Sequence, residues 1–237
     1  MKYHITLWIG GQLIINMMEI IGTSHVSPKS VEKVKRTIEN LKPSLVAVEL
    51  DKLRYDSLLK KQTKTRPSLS LIRQLGVSGF VFYLLGSFVE NYIGKKTGVI
   101  PGDEMLAAIK EARKQGAKIA LIDQPVILTL RNISSISFKE KLKIVFDMIF
   151  SLINPKHELR KVSLTMANIY DVPNEKDIVK IISIFEKRYP LFYKVLIDDR
   201  NRYMVRKLNI LRESFEEPIV AVVGAGHVQG MKSLLKS

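Results

Sequence analysis

Short apolar runs occur at four places along this chain and predict buried β-strands. Each run is too short for a helix, and most are rich in Val, Ile or Leu, which strands favour. The four runs are Met18–Ile21, Leu45–Leu50, Lys118–Ile122 and Ile219–Val223. A further apolar stretch at residues 5–15, interrupted by Gly10-Gly11, indicates an added N-terminal strand or a misplaced start codon.

Apolar residues at helical spacing occupy the segments between and after these runs. One such face lies between Pro28, near the helix start, and Pro43, which stops the helix. It comprises Val31, Val34, Ile38 and Leu41. A second comprises Met105, Ala108, Ile109 and Ala112, with Asp103 as the expected N-cap and Gly116 as the C-terminal glycine. Alternating strands and helices predict an α/β fold with a largely parallel central sheet covered by helices.

Two longer segments interrupt this alternation, and we expect both to be helical insertions in a single domain of residues 1–237. Residues 55–98 contain the apolar stretch Leu75–Val89, which is shorter than the roughly 20 residues of a membrane-spanning helix. That stretch predicts a buried helix or helical hairpin, with a membrane-facing patch as the alternative. Residues 134–211 form the insertion before the last strand. Its helical stripe, expected in the core, is Leu142, Val145, Phe146, Ile149 and Ile153.

Composition narrows the choice of partners. The 38 Lys and Arg residues outnumber the 23 Asp and Glu residues, and the net charge of +15 suits nucleic acid, an anionic membrane or an acidic substrate. The basic residues are dispersed and no aromatic-plus-basic RNA motif is present, so we expect no nucleic-acid binding. Because the chain has no cysteine, disulfides and thiolate metal sites are excluded. A metal site would depend on carboxylates and the four histidines.

The apolar N-terminal stretch does not resemble a secretion signal. It lacks a small-residue cleavage site, and it is too short to span a bilayer. We therefore expect the protein in the cytoplasm or at the periphery of a membrane, where its basic surface would contact anionic lipid.

Polar residues with catalytic potential follow the four predicted strands. They are His25 after the first, Glu49 and Asp123 at the ends of the second and third, and His227 after the last. Because ligands bind an open parallel sheet at the carboxyl ends of its strands, we expect these groups to form one polar site. Simpler alternatives are a capping or packing role for each histidine, an ion pair for Glu49 and a turn at Asp123.

This set of residues suits metal-assisted chemistry better than a nucleophilic triad. No Gly-x-Ser-x-Gly elbow is present. Two neutral imidazoles and a carboxylate suit Zn, Mn or Co and leave a coordination position for water, while a second carboxylate would act as general base. Gly224-Ala225-Gly226 is a weaker candidate for a phosphate site, because it lacks the third glycine of a dinucleotide fingerprint.

The order of motifs resembles the TraB/PrgY family. The first two blocks are Gly22-Thr23-Ser24-His25-Val26-Ser27 and Val46-Ala47-Val48-Glu49-Leu50-Asp51 with Arg54. The next two are Pro101-Gly102-Asp103-Glu104-Met105 and Leu121-Ile122-Asp123 with Thr129-Leu130-Arg131. The last two are Asp198-Asp199-Arg200-Asn201-Arg202-Tyr203-Met204 and the closing block Val222 to Met231, which holds the second Gly-x-x-His. One Gly-x-x-His is weak, but this ordered set spans residues 18–231.

The resemblance implies a function as well as a family. PrgY-type members dampen peptide-pheromone signalling, and the Tiki branch comprises membrane-anchored proteases that depend on Mn or Co and carry two Gly-x-x-His motifs. By this resemblance, the candidate metal ligands are His25, His227 and Glu49, and the ion is Mn or Co, or else Zn. The further pocket candidates that it implies are Glu104, Arg131, Asp199, Arg200 and Arg202.

The chain departs from the family pattern at two places. Asp199 stands where the family usually has Glu, and Gln124-Pro125 stands where Arg or Asp often follows the aspartate. Both changes would alter metal affinity or activity. Many archaeal members also carry membrane helices after the closing block, and we expect that domain to be absent here, whether the chain is a natural short form or a truncated one.

The sequence therefore predicts metal-dependent hydrolysis of a peptide bond. Glu49 or Glu104 would move protons, and Arg200 or Arg202 would bind a peptide carboxylate or a developing oxyanion. Simpler roles are ion pairs for the arginines and helix capping for Glu104. The alternative function is a regulatory protein that binds or sequesters a peptide or small ligand without chemistry. Expected partners are the peptide, an anionic membrane surface and a second copy of the chain.

Overall fold

A four-stranded parallel sheet forms the centre of the fold. The structure, a computed structural model, describes residues 7–9, 12–14, 18–23, 28–59, 73, 80, 102–153, 175–215 and 218–236. Two N-terminal strands are β1 (Leu7–Ile9) and β2 (Gln12–Ile14), and the sheet strands are β3 (Met18–Thr23), β4 (Leu45–Val48), β5 (Lys118–Leu121) and β6 (Ile219–Gly224). The sheet order is β3-β6-β4-β5, with parallel pairing throughout. The predicted α/β fold is confirmed.

The N-terminal apolar stretch forms two strands where one was expected. β1 and β2 pair antiparallel in a sheet of their own, with Leu7 opposite Ile14. The glycine pair that interrupts the apolar run lies between them in sequence. The prediction of a single strand was therefore wrong, because the interruption separates two strands.

Helices alternate with the strands and cover both faces of the sheet. Before β6 they are α1 (Pro28–Leu41), α2 (Lys52–Leu59), α3 (Asp103–Lys114), α4 (Val126–Ser135), α5 (Phe138–Ile153), α6 (Glu175–Arg188), α7 (Pro190–Tyr193), a π-helix (Lys194–Asp198) and α8 (Asp199–Ser214). Helix α9 (Ala225–Lys236) follows β6 directly. None of the helices described is long and apolar enough to cross a membrane.

Each face of the sheet buries its own apolar layer. Helices α1 and α3 cover one face through Val34, Ile38, Met105 and Ile109. Helices α8 and α9 cover the other through Met204, Leu208 and Met231. Because β4 and β6 are buried on both faces, their sequences are uninterrupted apolar runs. A fully buried Ile or Leu side chain contributes about 1.5–3 kcal/mol.

The ends of α3 differ slightly from expectation. Asp103 is the first helical residue and not the N-cap, which is Gly102 in a left-handed conformation with φ 99°. Glycine adopts this conformation without strain. At the other end, Gly116 has φ 73° and donates its N–H to Arg113 O at 3.2 Å. The following residue, Ala117, donates its N–H to Ala112 O at 2.9 Å. This is the double hydrogen bond of a Schellman motif.

The stripe on α5 is not in the core at the positions that the structure describes. Leu142 is 54% exposed and Phe146 69% exposed. The helix instead packs through a neighbouring face, where Lys141 Nζ donates to Ser134 O (2.6 Å) and Ile144 contacts the cluster around Phe192. The helical insertion before the last strand is thus correct in type, but the expectation that Leu142 and Phe146 lie in the core was wrong. Residues 60–101, except 73 and 80, and residues 154–174 lie outside the described ranges, as does Leu75–Val89 apart from Phe80.

Candidate functional site

The carboxyl ends of the four sheet strands lie at one edge, as the parallel register requires. Thr23 pairs with Gly224 across β3 and β6, and Val48 pairs with Leu121 across β4 and β5. Glu49 extends its strand by donating its N–H to Val222 O (3.0 Å). Polar side chains that follow these strand ends therefore meet at this edge. We call the following five residues the Glu49 cluster: Glu49, Asp123, Arg200, Asn201 and His227.

Glu49 is buried and is held from three sides. Its Oε2 accepts the Gly224 N–H at 2.6 Å, and its Oε1 accepts a hydrogen bond from Arg200 Nη2. His227 Nε2 lies 3.3 Å from the same Oε1. Burial alone would raise the pKa of Glu49, but charge and hydrogen bonding from His227, together with Arg200 and the Gly224 N–H, hold it well below its ordinary value. Glu49 is therefore a carboxylate.

The orientation of His227 is fixed by Asn201. His227 Nδ1 lies 2.7 Å from Asn201 Oδ1, in a contact that is buried. Because an amide oxygen can only accept, Nδ1 must carry the hydrogen and donate it. In a neutral ring the other nitrogen, Nε2, then presents its lone pair towards Glu49 Oε1. Two lone pairs face each other in this contact, so it requires either a proton on Nε2 or a cation that both atoms bind.

Arg200 links Glu49 to Asp123. Its Nε and Nη2 donate to Asp123 at 3.0 and 2.8 Å, and its Nη1 donates to Leu196 O at 3.2 Å. With the bond to Glu49, four hydrogen bonds use most of the five N–H groups of the guanidinium. Burial alone would lower the pKa of Arg200, but the Glu49 and Asp123 carboxylates outweigh burial and raise it. Arg200 is thus a positively charged side chain that forms ion pairs with both carboxylates.

The π-helix before α8 contributes to this position of Arg200. Its wider turn ends at Asp198, and Leu196 within it supplies the carbonyl that accepts the Arg200 bond. Single π turns of this kind are frequent at functional sites. Farther along α8, Met204 and Leu208 are buried in the core. The helix therefore directs Arg200 and Asn201 to the sheet edge while its later turns pack on the sheet.

Arg54 and Asp51 complete the surroundings of Asp123. Arg54 Nη1 lies 3.4 Å from Asp123 Oδ2, and the Arg54 side chain is 41% exposed. Asp51 accepts the Arg54 N–H at 2.7 Å and the Val126 N–H at 2.5 Å, so one carboxylate caps both α2 and α4. Arg54 is therefore a cation at the opening of the cluster, whereas Asp51 has a structural role.

Close packing of α9 depends on glycine. A Cβ on Gly230 would collide with Asn201 Nδ2, and a Cβ on Gly22 would lie 2.7 Å from Val228 Cγ2. Both substitutions would push α9 or its neighbours apart. Gly230 thereby allows Asn201 to reach His227.

The predicted site residues divide into two groups. Glu49, Arg200 and His227 are brought together, and Asp123 joins them. The others have different surroundings: Arg131 is exposed on α4, Glu104 is buried in the first turn of α3, Asp199 pairs with Lys194 at 2.5 Å, and Arg202, 54% exposed, pairs with Asp198 at 3.0 Å. His25 lies outside the described residues.

Among the residues that are described, no group of three His, Asp or Glu side chains could hold a metal ion.

Asn201 is the cluster residue for which the sequence predicted no role. In the sequence it stands between Arg200 and Arg202 in the block that resembles the family motif. A signal was present, because Asn201, Met204, Val205 and Leu208 fall on one helical face, and all four are buried. A polar side chain on the buried face of a helix requires a hydrogen-bond partner. The partner, His227, lies 26 residues away, and sequence alone could not name it.

Most of the chain matches a protein family in sequence. Residues 16–237 match the TraB/PrgY/gumN family. The chain belongs to this family. The resemblance inferred from the ordered motifs is thus confirmed, and the Glu49 cluster is a cluster of a TraB-family protein.

Relatives of this TraB-family protein occur in archaea and animals. An uncharacterised protein of Methanocaldococcus jannaschii is 35% identical over 218 residues, which are 92% of this chain and 53% of the relative. The TraB domain-containing proteins of Bos taurus and Homo sapiens are 29% and 28% identical over 242 residues, covering 90% of this chain and 61% of each relative. The chain therefore spans between half and two thirds of the length of these relatives.

Proposed function

We propose that this TraB-family protein is a metal-dependent peptide hydrolase in which His227, Glu49 and His25 bind the ion. One observation carries the proposal: His227 Nε2 lies 3.3 Å from the Glu49 carboxylate, close enough for both groups to bind one ion. Asn201 occupies the other ring nitrogen, as hydrogen-bonded outer partners do for metal-binding histidines.

The distance between the two donor atoms fits a shared ion. His227 Nε2 and Glu49 Oε1 are 3.3 Å apart, which is close enough for both to bind one Zn, Mn or Co ion. Arg200 uses one lone pair of Glu49 Oε1, and a carboxylate oxygen has two. Two donors alone hold an ion weakly, so the site requires another ligand.

His25 is the proposed third ligand because of its position in the chain. It follows Thr23 by two residues, and two residues extend at most about 7 Å. Thr23 pairs with Gly224, whose N–H binds Glu49. Two imidazoles and a carboxylate are a set that Zn, Mn or Co accepts while leaving room for water.

Glu49, Arg200 and Arg54 would have separate roles in proton transfer and positioning. A bound divalent ion would polarise the peptide carbonyl and lower the pKa of a bound water. Glu49, a carboxylate at neutral pH, would accept a proton. Arg200 would hold it in place through one hydrogen bond, while the other three bonds of the guanidinium go to Asp123 and Leu196 O. Arg54 is better placed than Arg200 to bind a peptide carboxylate or carbonyl, because its guanidinium is partly exposed. The family resemblance also implies that Glu104, Arg131, Asp199 and Arg202 belong to the pocket, and this stays a prediction.

Metal reconstitution tests the proposal. Chelator-treated protein is supplied with Mn, Co or Zn and incubated with a peptide library, and products are measured by mass spectrometry. We expect turnover with metal only, and a loss of about a hundredfold or more in Glu49→Gln or His227→Ala, the range for removing a group that acts in the transition state. The control is Glu213→Gln, at an exposed position on α8, which should retain activity. No turnover and no metal uptake by pure protein would refute the hydrolase.

A second candidate function is binding of a peptide or small ligand without catalysis. It is favoured by the charge balance of the Glu49 cluster, in which Arg200 already compensates two carboxylates. A compensated cluster attracts a divalent cation less strongly than bare carboxylates do. Thermal-shift titration discriminates: stabilisation by peptide without metal, retained in His25→Ala, supports the binder, whereas stabilisation that requires metal supports the hydrolase.

A further inference from the structure

We propose that an extended peptide binds as an added strand along the outer edge of β3, which no other described strand occupies, in a cleft between this strand, α6 and α9. The inference rests on the proposed function, because it names where and how the peptide substrate is held. The cavity has a volume of about 430 Å³, within the range of ligand pockets.

The floor of the cleft is the outer strand of the sheet. β3 is the terminal strand in the order β3-β6-β4-β5, and among the residues described it pairs only with β6. The strand residues Glu19, Ile20 and Gly22 line the cavity. An outer strand presents a row of unpaired N–H and C=O groups, which is the template for adding an extended peptide.

The walls of the cleft suit a peptide with apolar side chains on one face. Ile178, Val179 and Ile182 of α6 form an aliphatic wall. Lys33 of α1, together with Glu19, lines the cavity beside β3. Side chains of an extended peptide point alternately to opposite sides. One set would contact the aliphatic wall, and the other would face charged residues of both signs, which accept polar side chains.

The cleft shares one residue with the Glu49 cluster. Asn201, which holds His227 Nδ1, also lines the cavity. Gly22 and Gly226 line it too. Because glycine has no side chain, a peptide can approach the backbone closely near the end of β3. At that end Thr23 pairs with Gly224, whose N–H holds Glu49. A peptide that follows β3 therefore extends towards the proposed reacting groups.

Backbone pairing predicts a pattern that other binding modes do not give. The probe is a capped hexapeptide of alternating Val and Thr, together with two analogues N-methylated on alternate amides, one analogue for each set. In an added strand only one set of amides faces β3. We expect one analogue to lose about tenfold or more in affinity by fluorescence anisotropy while the other binds like the parent peptide. Equal affinity of all three peptides, or equal loss in both analogues, would overturn the proposal.

A pair of variants on α6 tests the position of the cleft. Val179→Lys introduces a charge into the aliphatic wall, whereas Ile184→Lys places the same charge on the same helix outside the cleft, and the two residues are similarly exposed at 38% and 36%. We expect Val179→Lys alone to weaken the hexapeptide about tenfold. Hydrogen exchange should slow at amides of residues 19–22 when the peptide is added. Unchanged exchange there, or equal effects of both variants, would refute the cleft.

The two proposals can fail separately. Hydrolysis with metal and an unchanged KM in Val179→Lys would overturn the cleft and leave the hydrolase standing. Strand-like binding in the absence of any metal-dependent turnover would support the cleft and overturn the hydrolase.

Discussion

At the scale of single residues, Arg200 decides whether two buried carboxylates are tolerated. The side chains of Glu49 and Asp123 are 6% and 4% exposed, and both bind the same guanidinium. An ionised carboxylate taken out of water without a partner is strongly destabilising. The charge of this cluster is therefore a stability determinant as well as a candidate catalytic feature.

Replacing Arg200 by methionine should destabilise the fold. Removing one partner of a buried pair costs about 3–5 kcal/mol, because the other charges stay buried without compensation. Urea denaturation measures this loss in the free energy of unfolding. Arg202→Met is the control, since Arg202 is exposed and pairs with Asp198 within one turn of the helix. Equal loss in both variants would contradict the account.

Gly230 and Asn201 should show coupled effects. Gly230→Ala should destabilise by about 1–3 kcal/mol, because the new methyl group meets the Asn201 amide. In Asn201→Ala the obstacle is removed, so adding Gly230→Ala to that variant should cost much less. A double-mutant cycle measures the coupling free energy. Strict additivity would show that Gly230 does not make room for Asn201.

At the scale of secondary-structure elements, the sequence predicts those that are buried on both sides. β4 and β6 were identified because sheet strands covered by helices on both faces are uniformly apolar. The prediction that Leu142 and Phe146 on α5 lie in the core was wrong. Helical spacing shows that a face is apolar, but not which face the tertiary structure covers. For the site, strand ends predicted that Glu49, Asp123 and His227 converge. The contacts of Arg200 and Asn201 on α8 could not be assigned, because the sequence shows which face of the helix is buried but not which distant residues that face meets.

Asp51 joins two elements and should be sensitive to substitution. Asp51→Ala removes caps from α2 and α4 at once, and each lost cap costs about 0.5–2 kcal/mol. Chemical denaturation should show a larger loss than in Asp56→Ala, whose carboxylate forms a surface pair with Lys52. Similar losses in the two variants would argue against the shared cap.

The contact of α5 with the end of α6 should weaken in acid. Asp147 accepts hydrogen bonds from Tyr189 and from Arg188 Nε, the latter at 3.0 Å. Burial alone would raise the pKa of Asp147, but these bonds outweigh burial and lower it. A carboxyl group whose pKa is lower in the folded state stabilises the fold above its unfolded value of about 3.9, and this stability is lost as pH falls through the folded pKa.

The variant Asp147→Asn measures this contribution. It should be less stable than the parent at neutral pH, and the difference should shrink as pH falls below about 4. Thermal melting from pH 7 to pH 2.5 follows the two proteins. A difference in stability that stays constant over this range would contradict the role assigned to the Asp147 charge.

At the scale of the whole molecule, charge and exposed apolar side chains predict contact with anionic membranes. The net charge is +15, and Phe138, Leu142 and Phe146 are exposed on α5. We expect the protein to sediment with phosphatidylserine vesicles at low salt, and to be released at 1 M salt, where the Debye length falls to about 3 Å. Phe146→Ser should sediment less than Ile210→Ser, a change at an exposed apolar residue on α8. Equal sedimentation with neutral vesicles would contradict the electrostatic part.

Binding of one metal ion by chain-distant histidines and Glu49 underlies the proposed hydrolase. Anomalous X-ray diffraction from crystals of the whole chain grown with Mn tests it most directly, because the Mn signal locates the ion independently of the protein atoms. We expect a single strong peak about 2.0–2.3 Å from His227 Nε2, a Glu49 oxygen and a ring nitrogen of His25. A crystal with the His25 and His227 rings too far apart to share an ion, or with no Mn between them, would contradict it.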